Sequence, residues 1–546
     1  MKREKSKKIL CLLFALVLIF GCLSGCGKAE SEGEDNSDTV LPEPIEEENT
    51  APTYDDRFTL NCSGNGSYNP FTIDSSFDKD VTTFIYDSLF VLNESFEPES
   101  DICIDAKTTD GKSYDFTLQE GITMHNGSLL DAEDVAYSIN MARSSQLYSK
   151  RLYNVESCYA TGDYTFKMTL YTANFRLPSL LDIPIVAYGT GEDSNPVGSG
   201  PYMLGSGGDT LVPFENYRRT GFTVVDTIYL ETYSEGALGT AFIGHDLELI
   251  HMQANKIDDL NIRTICERGD FNTTTLQYIG FNMTNSLTAE SSFRRAVSHL
   301  VDREYIVDMI LNDSAIEAPL MLSSAMSGYQ EEWEEGKTYS VETAKKLLEG
   351  LEVQDTDNNG YLEYHSVVTV EGAEGEDPTY IDEGYKEYDL SFIVNEEDQY
   401  KVRTAEVIAD ALDTMGFRVT VRSLPWEEYV SALESGSYDM YYAEARVTAD
   451  FNLSPFVSEN GYLNYSGVEN EALIQYNESY MGSSGETALK RANTLCTAFY
   501  RQSPVVPVVY EKESVLTHWG TVTDMNYSQS GIFYSGGSLC TTPEEE

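Results

Sequence analysis

Residues with the type and spacing for metal chemistry stand at Asp355-Thr356-Asp357-Asn358-Asn359-Gly360. Side-chain oxygens at the first, third and fifth positions and a glycine at the sixth match the front half of a Ca²⁺ loop. The twelfth position is Ser366, so the bidentate carboxylate that closes such a loop is missing and a polar turn is expected, with a weak Ca²⁺ site as the alternative. The six histidines, His125, His245, His251, His299, His365 and His518, are scattered; His245 and His251 are spaced poorly for two ligands on one helical face. No HExxH, GxSxG, Walker or GxGxxG pattern occurs, and paired carboxylates carry no information in a chain with 90 acidic residues. These observations point away from an enzyme, a resident cofactor or a direct metal site. A surface hydrolase with an unrecognised site is the residual catalytic reading.

Covalent chemistry of another kind is expected at Cys26. Lys2, Arg3, Lys5, Lys7 and Lys8 precede an apolar run, Ile9 to Phe20, that is too short to cross a bilayer comfortably and has the order of a secretory signal. Leu23-Ser24-Gly25-Cys26 resembles the lipobox of bacterial lipoproteins, which implies a signal peptide over 1–25 and acylation of Cys26; Cys22 is a weaker candidate beside bulky Phe20. Several acyl chains anchor stably where one holds marginally. Residues 26–56 are acidic and poor in large apolar groups, so a disordered linker of roughly 30 Å root-mean-square span is expected. Six cysteines follow: Cys62, Cys103, Cys158, Cys266, Cys496 and Cys540. An exported chain permits disulfides, and the spacing does not choose among their pairings over free thiols.

The formal charge is −54, which repels a phosphate backbone and argues against nucleic acid as a partner. The 490 or so residues after the linker exceed one core and predict two or three domains. Period-two patterns predict strands at 57–61 and 113–118, and Asp131 with Asp134 caps a helix bearing Val135, Ile139 and Ala142. Helical spacing recurs at Phe293, Ala296, Val297 and Leu300, and again at Ala405, Ile408 and Leu412, ending at Gly416. A strand from Phe417, a helix from Trp426 to Leu433 ended by Gly436, and a strand from Tyr438 complete an α/β rhythm. That rhythm predicts helices covering a largely parallel sheet.

Local motifs in a fixed order resemble the extracytoplasmic solute-binding proteins of ABC importers, family five, which bind oligopeptides, dipeptides or nickel. They are Tyr68-Asn69-Pro70-Phe71, Ile85 to Phe90, Tyr114 to Gly127 followed by Asp131 to Ser138, Gly198 to Tyr202, Phe281-Asn282 with Phe293 to Val297 and Val301-Asp302-Arg303, and Ser503 to Pro507. The resemblance implies a two-lobed periplasmic-binding-protein-like fold of type II, cluster C, with an additional small domain and a ligand cleft between the lobes. Lobe I would comprise 57–91, 176–281 and 500–546, the small domain 92–175 and lobe II 282–499. Function is then expected to be peptide capture and delivery to permease and ATPase subunits, by a monomer lipid-anchored on the extracytoplasmic face of the membrane, at a Gram-positive surface or in a periplasm. Alternatives are another cargo on the same fold, either nickel as a metal chelate or an oligosaccharide on tyrosine platforms, and a peptide-sensing lipoprotein receptor.

In peptide binders of this family an acid after a lobe II strand meets the ligand's α-ammonium, and Asp450 occupies that place. Such a charge-assisted bond contributes about 1.5–3 kcal/mol of the roughly 8 kcal/mol that micromolar affinity requires. Glu444 and Arg446 stand where apolar or aromatic residues are usual, and either bind the ligand or pair with each other. Trp426, Tyr68, Asn69, Tyr441 and Tyr442 are expected cleft-wall residues. His125 is expected to be a satisfied structural histidine, and Gly198 to Pro201 a tight crossing of two chain segments.

Overall fold

The computed structural model describes residues 58–219, 225–351, 353–370, 379–519, 522–523, 527–532 and 538–539. The signal-peptide, Cys26, linker and Cys540 expectations therefore lie outside the described residues. All described residues belong to one compact unit, Tyr54–Glu546.

Three sheets organise the chain. A four-stranded sheet orders Phe58–Asn61, Ile228–Glu231, Thr210–Pro213 and Tyr202–Leu204, the first pair parallel. A second four-stranded sheet orders Cys103–Lys107, Ser113–Leu118, Thr165–Leu170 and Val155–Gly162, all antiparallel. Against it packs the helix Ala132–Ser144, which begins as its sequence predicts: Asp131 accepts from the amides of Glu133 and Asp134, while Asp134 Oδ2 accepts from the Asp131 amide at 2.9 Å.

The largest sheet has seven strands, in the order Leu249–Gln253, Val505–His518, Cys266–Phe281, Met440–Arg446, Asp389–Asn395 and Arg418–Leu424, with Ala315–Glu317 paired to Val505–His518. Only the pairs formed by Asp389–Asn395 with Arg418–Leu424 and with Met440–Arg446 are parallel; the others are antiparallel. The expected largely parallel sheet is thus corrected to a mixed one. The strand–helix–strand units 389–446 supply the parallel part, and long strands returning from distant segments supply the rest.

Period-two alternation divides this sheet's side chains between two cores. Tyr441 packs with Tyr278 on one face, and Tyr442 packs with Phe392 on the other. The helices Ser291–Leu300 and Gln399–Asp413 bury Phe293, Ala296, Val297, Ala405, Ile408 and Leu412 against the second face. Trp426–Ser435 ends at Gly436, whose φ of 67° is the left-handed conformation that glycine adopts without steric cost.

The described cysteines are free thiols: Cys62, Cys103, Cys158 and Cys496 are buried and Cys266 is half-buried. Burial raises the thiol pKa of Cys103 to about 11 and of Cys158 and Cys496 to about 12.

Chain crossing at Gly198–Gly200 is as tight as expected. The Gly200 amide donates to Ile85 O at 2.9 Å, and a Cβ on Gly200 would lie 2.6 Å from both Phe84 O and Ile85 C. His125 Nε2 lies 2.9 Å from Gly200 O, which makes this histidine structural. Gly200→Ala should therefore overpack the crossing and lower unfolding free energy by about 1–3 kcal/mol, read by urea denaturation. Unchanged stability would show that the two segments part easily.

Candidate functional site

The helix Ser76–Ile85, the segment Tyr148–Arg151 and the strand Met440–Arg446 approach one another around a cavity of about 370 Å³. Lys79, Tyr86, Tyr148, Arg151, Arg446 and Tyr462 are among its walls. Lys150, Arg151, Thr448 and Tyr462 also line a second chamber of about 250 Å³, which contains Asp450. At the second chamber the walls meet directly: Asn174 Nδ2 donates to Asp450 Oδ2 at 2.9 Å, and Asn452 Nδ2 to the Tyr153 hydroxyl at 2.7 Å.

Of the expected site residues, the structure brings Arg446 and Asp450 to these chambers. Arg446 reaches the first because its strand ends there, opposite Thr275 in the neighbouring strand. Asp450 is 2 % exposed, and its carboxyl also accepts from Thr448 Oγ1 at 2.6 Å and from the Asn452 amide at 3.2 Å. Burial pushes its pKa above the usual carboxylate range against those hydrogen bonds.

The remaining expected residues stand elsewhere. Glu444 pairs with Lys401 at 2.7 Å, not with Arg446. Tyr441 and Tyr442 are core residues, and the Tyr442 hydroxyl donates to Gln277 Oε1 at 2.7 Å. Tyr68 is buried, and Asn69 staples a loop, its Nδ2 donating to Gly191 O and Asp193 O, both at 2.8 Å. Trp426, the first residue of its helix, is 54 % exposed, lies against Tyr429 and lines neither chamber. The Asp355–Gly360 turn closes on itself: Asp355 accepts from the amides of Asn359 at 3.1 Å and Gly360 at 3.0 Å. Among the described residues there is no group of three or more His, Cys, Asp or Glu placed to hold a metal ion.

Sequence reasoning missed Lys79, Lys150, Arg151 and Asp182. They sit on a helix and loops with no motif of their own, and only folding places them beside Arg446.

The acids near the larger chamber are mostly engaged. Asp87 lies 3.1 Å from Arg218 Nη2 and accepts from Ser199 Oγ at 2.9 Å. Asp101 pairs with Arg218 and with Arg219, the latter at 2.7 Å. Asp182 pairs with Arg151 and accepts from Ser530 Oγ at 3.0 Å.

Behind Lys79, His251 Nδ1 is 2.9 Å from Asp80 and Nε2 is 3.3 Å from Glu513. Burial opposes the charge on His251, but Asp80 and Glu513 outweigh it and raise its pKa from 6.5 to about 10. Burial likewise opposes ionisation of Glu513, yet His251, Arg446 and Lys79 bring its pKa from 4.5 down to about 2. Lys79 is lowered to about 8, by burial first and then by Arg446 and Arg151.

Residues 97–464 match the bacterial extracellular solute-binding proteins, family 5 Middle. The oligopeptide-binding protein AppA of Bacillus subtilis (strain 168) is 22 % identical over 390 residues, covering 66 % of this chain and 67 % of that protein. The nickel-binding protein NikA of Staphylococcus aureus is 28 % identical over 323 residues, covering 56 % of this chain and 58 % of that protein. The structure of B. subtilis AppA in complex with a nonapeptide superposes with a TM-score of 0.63 at 17 % identity, covering 89 % of this chain and 99 % of that one. NikA from Brucella suis in complex with Fe(III)-EDTA gives 0.67 at 16 % identity, covering 89 % and 100 %. The fold is the mixed α/β, two-lobed fold of these binding proteins.

A raised histidine pKa contributes stability that is complete below the unfolded value near 6.5 and is lost as pH climbs towards 10. Lys79 works in the opposite sense, its burial cost easing only above about pH 8. Between pH 6.5 and 8, therefore, the melting temperature of the wild type should fall more than that of His251→Gln; parallel profiles would remove His251 from the linkage. With the family match extending over most of its length, the chain belongs to the bacterial extracellular solute-binding proteins, family 5.

Proposed function

We propose that the protein is the extracytoplasmic receptor of an ABC importer, a lipoprotein held to the membrane through Cys26, that captures short peptides and delivers them to the permease. The observation that carries this reading is the pair of adjoining chambers, which share Lys150, Arg151, Thr448 and Tyr462 and are walled on one side by residues between 79 and 217 and on the other by residues between 446 and 481, with Thr274, Gln529 and Ser530. Their volumes lie at the low end of or below the ~300–1,000 Å³ of small-molecule sites, which favours a solute of a few residues over a long chain. Lobes assigned as 57–91, 176–281 and 500–546 against 282–499, with 92–175 as the small domain, would part at the Asn174–Asp450 and Tyr153–Asn452 contacts. Opening would also release the Phe175 amide from Met481 O at 2.9 Å, Arg176 Nη1 from Tyr480 O at 3.1 Å and the edge contact of Phe96 with Phe451. Binding without chemical change suffices for this role, because transport needs only a difference in affinity between open and closed forms.

A second cargo, a metal held within an organic chelate, is favoured by the cationic wall, which suits carboxylate ligands of the metal; a bare ion would lack a ligand cluster among the described residues. The peptide reading is tested by small-angle scattering of the purified soluble part with and without a mixture of di- to pentapeptides. The expected result is a smaller radius of gyration and a raised melting temperature with peptide; identical profiles with every peptide would overturn it. Anchoring is tested separately in cells: Cys26→Ala should move the protein from the membrane fraction to a soluble one, and an unchanged distribution would remove the lipid.

A further inference from the structure

The charge around the larger chamber is opposite in sign to that of the protein. Asp87, Asp101 and Asp182 have the arginine partners described above, so their charges are matched within the wall. The remaining cations are not matched in the same way. Lys79 Nζ donates to the neutral carbonyl of Gln529 at 3.2 Å. Lys150 Nζ lies 4.8 Å from the ring centre of Tyr462. The Arg446 side chain, at the end of its paired strand, forms no hydrogen bond or ion pair with any described residue. The carboxylates facing this group from behind the wall, Asp80 and Glu513, already flank His251, which is itself charged at neutral pH. Four positive groups, Lys79, Lys150, His251 and Arg446, thus stand against two negative ones.

Burial first, and then the nearby charges of Arg446 and Arg151, lower the pKa of Lys79. In a chain of net charge −54, a half-enclosed cavity with an excess of cations concentrates field of one sign and draws in anions that the outer surface repels. An arginine fork without a protein partner matches a carboxylate bidentately, and a lysine beside it adds a point charge. Val91, Leu92, Leu147 and Pro184 give the same chamber an apolar side for the hydrocarbon part of such a solute.

We infer that the larger chamber selects net-anionic solutes carrying two or more carboxylates, one taken by Arg446 with Lys79 and another by Lys150, which also lines the second chamber. This rests on reading the chambers as the solute site. Three sources present the same chemistry: an acidic short peptide, a free polycarboxylate, and a metal chelate of one.

The test is calorimetric titration of the protein with triglutamate, triglutamine amide, trilysine, citrate, and citrate with an equimolar amount of Ni(II). Triglutamate or citrate should bind at least tenfold more tightly than triglutamine amide, trilysine should not bind, and affinity should fall as salt is raised from 20 to 200 mM in the titration buffer. The preference among triglutamate, citrate and its nickel complex identifies the source. Arg446→Gln should weaken the preferred anion at least tenfold and Arg446→Lys less, with melting temperatures close to wild type because the side chain is exposed and unpaired; Lys79→Gln supplies an independent second variant. Triglutamine amide binding as well as triglutamate, or Arg446→Gln and Lys79→Gln both binding the anion like wild type, would overturn anion selection while leaving a solute receptor in place. No binding by any acidic probe would also overturn it, and absence of closure in the scattering experiment with peptides would separately overturn the peptide-receptor reading.

Discussion

The register of Met440–Arg446 on Cys266–Phe281 is the constraint on which the rest of the molecule depends. Seven residue pairs from Thr275–Arg446 to Phe281–Met440 fix it. Because side chains alternate across a strand, a slip of one residue would exchange Tyr441 with Tyr442 between the two cores and turn Arg446 away from the cavity. Both tyrosines are large, fully buried and committed to different neighbours, so the hydrophobic packing that stabilises the sheet also aims the arginine. Val505–His518 lies on the other side of Cys266–Phe281 and brings Glu513 behind the same cavity.

Charge follows the same logic of enforced neighbours. Arg218 lies between Asp87 and Asp101, and His251 between Asp80 and Glu513, so buried carboxylates are stabilised by cations delivered from other segments. Each such set is neutral or nearly so, and the wall of the cavity departs from this rule. There the side chains of Lys79, Lys150 and Arg446 have no hydrogen-bonded carboxylate partner among the described residues; buried Arg294 and Arg303 also lack one, but backbone carbonyls hold them.

Much of the architecture was legible in the sequence. The Asp131–Asp134 capping box, the apolar stripes at Phe293–Leu300 and Ala405–Leu412, and the Gly436 stop are local patterns with local causes, and the structure contains them. The largely parallel sheet was misread because strand direction depends on which distant segments pair, and long antiparallel strands such as Cys266–Phe281 have no helix beside them to announce their partners. At the site, Arg446 was visible as a charge in an unusual position. Tyr441 and Tyr442 were not distinguishable from wall residues, since alternation says that they face opposite sides without saying that both sides are buried. Lys79, Lys150 and Arg151 had no signature, because nothing in a helix or a loop indicates which strand end will arrive next to it.

The free thiols described above bear on life outside the cytoplasm. With no cross-link among Cys62, Cys103, Cys158, Cys266 and Cys496, and with the three whose pKa burial lifts to about 11 or 12 held as protonated sulfhydryls, the described fold neither requires an oxidant to mature nor offers oxidants a reactive thiolate at those three sites. Packing of apolar side chains, not a cross-link among these five cysteines, therefore holds the described fold together.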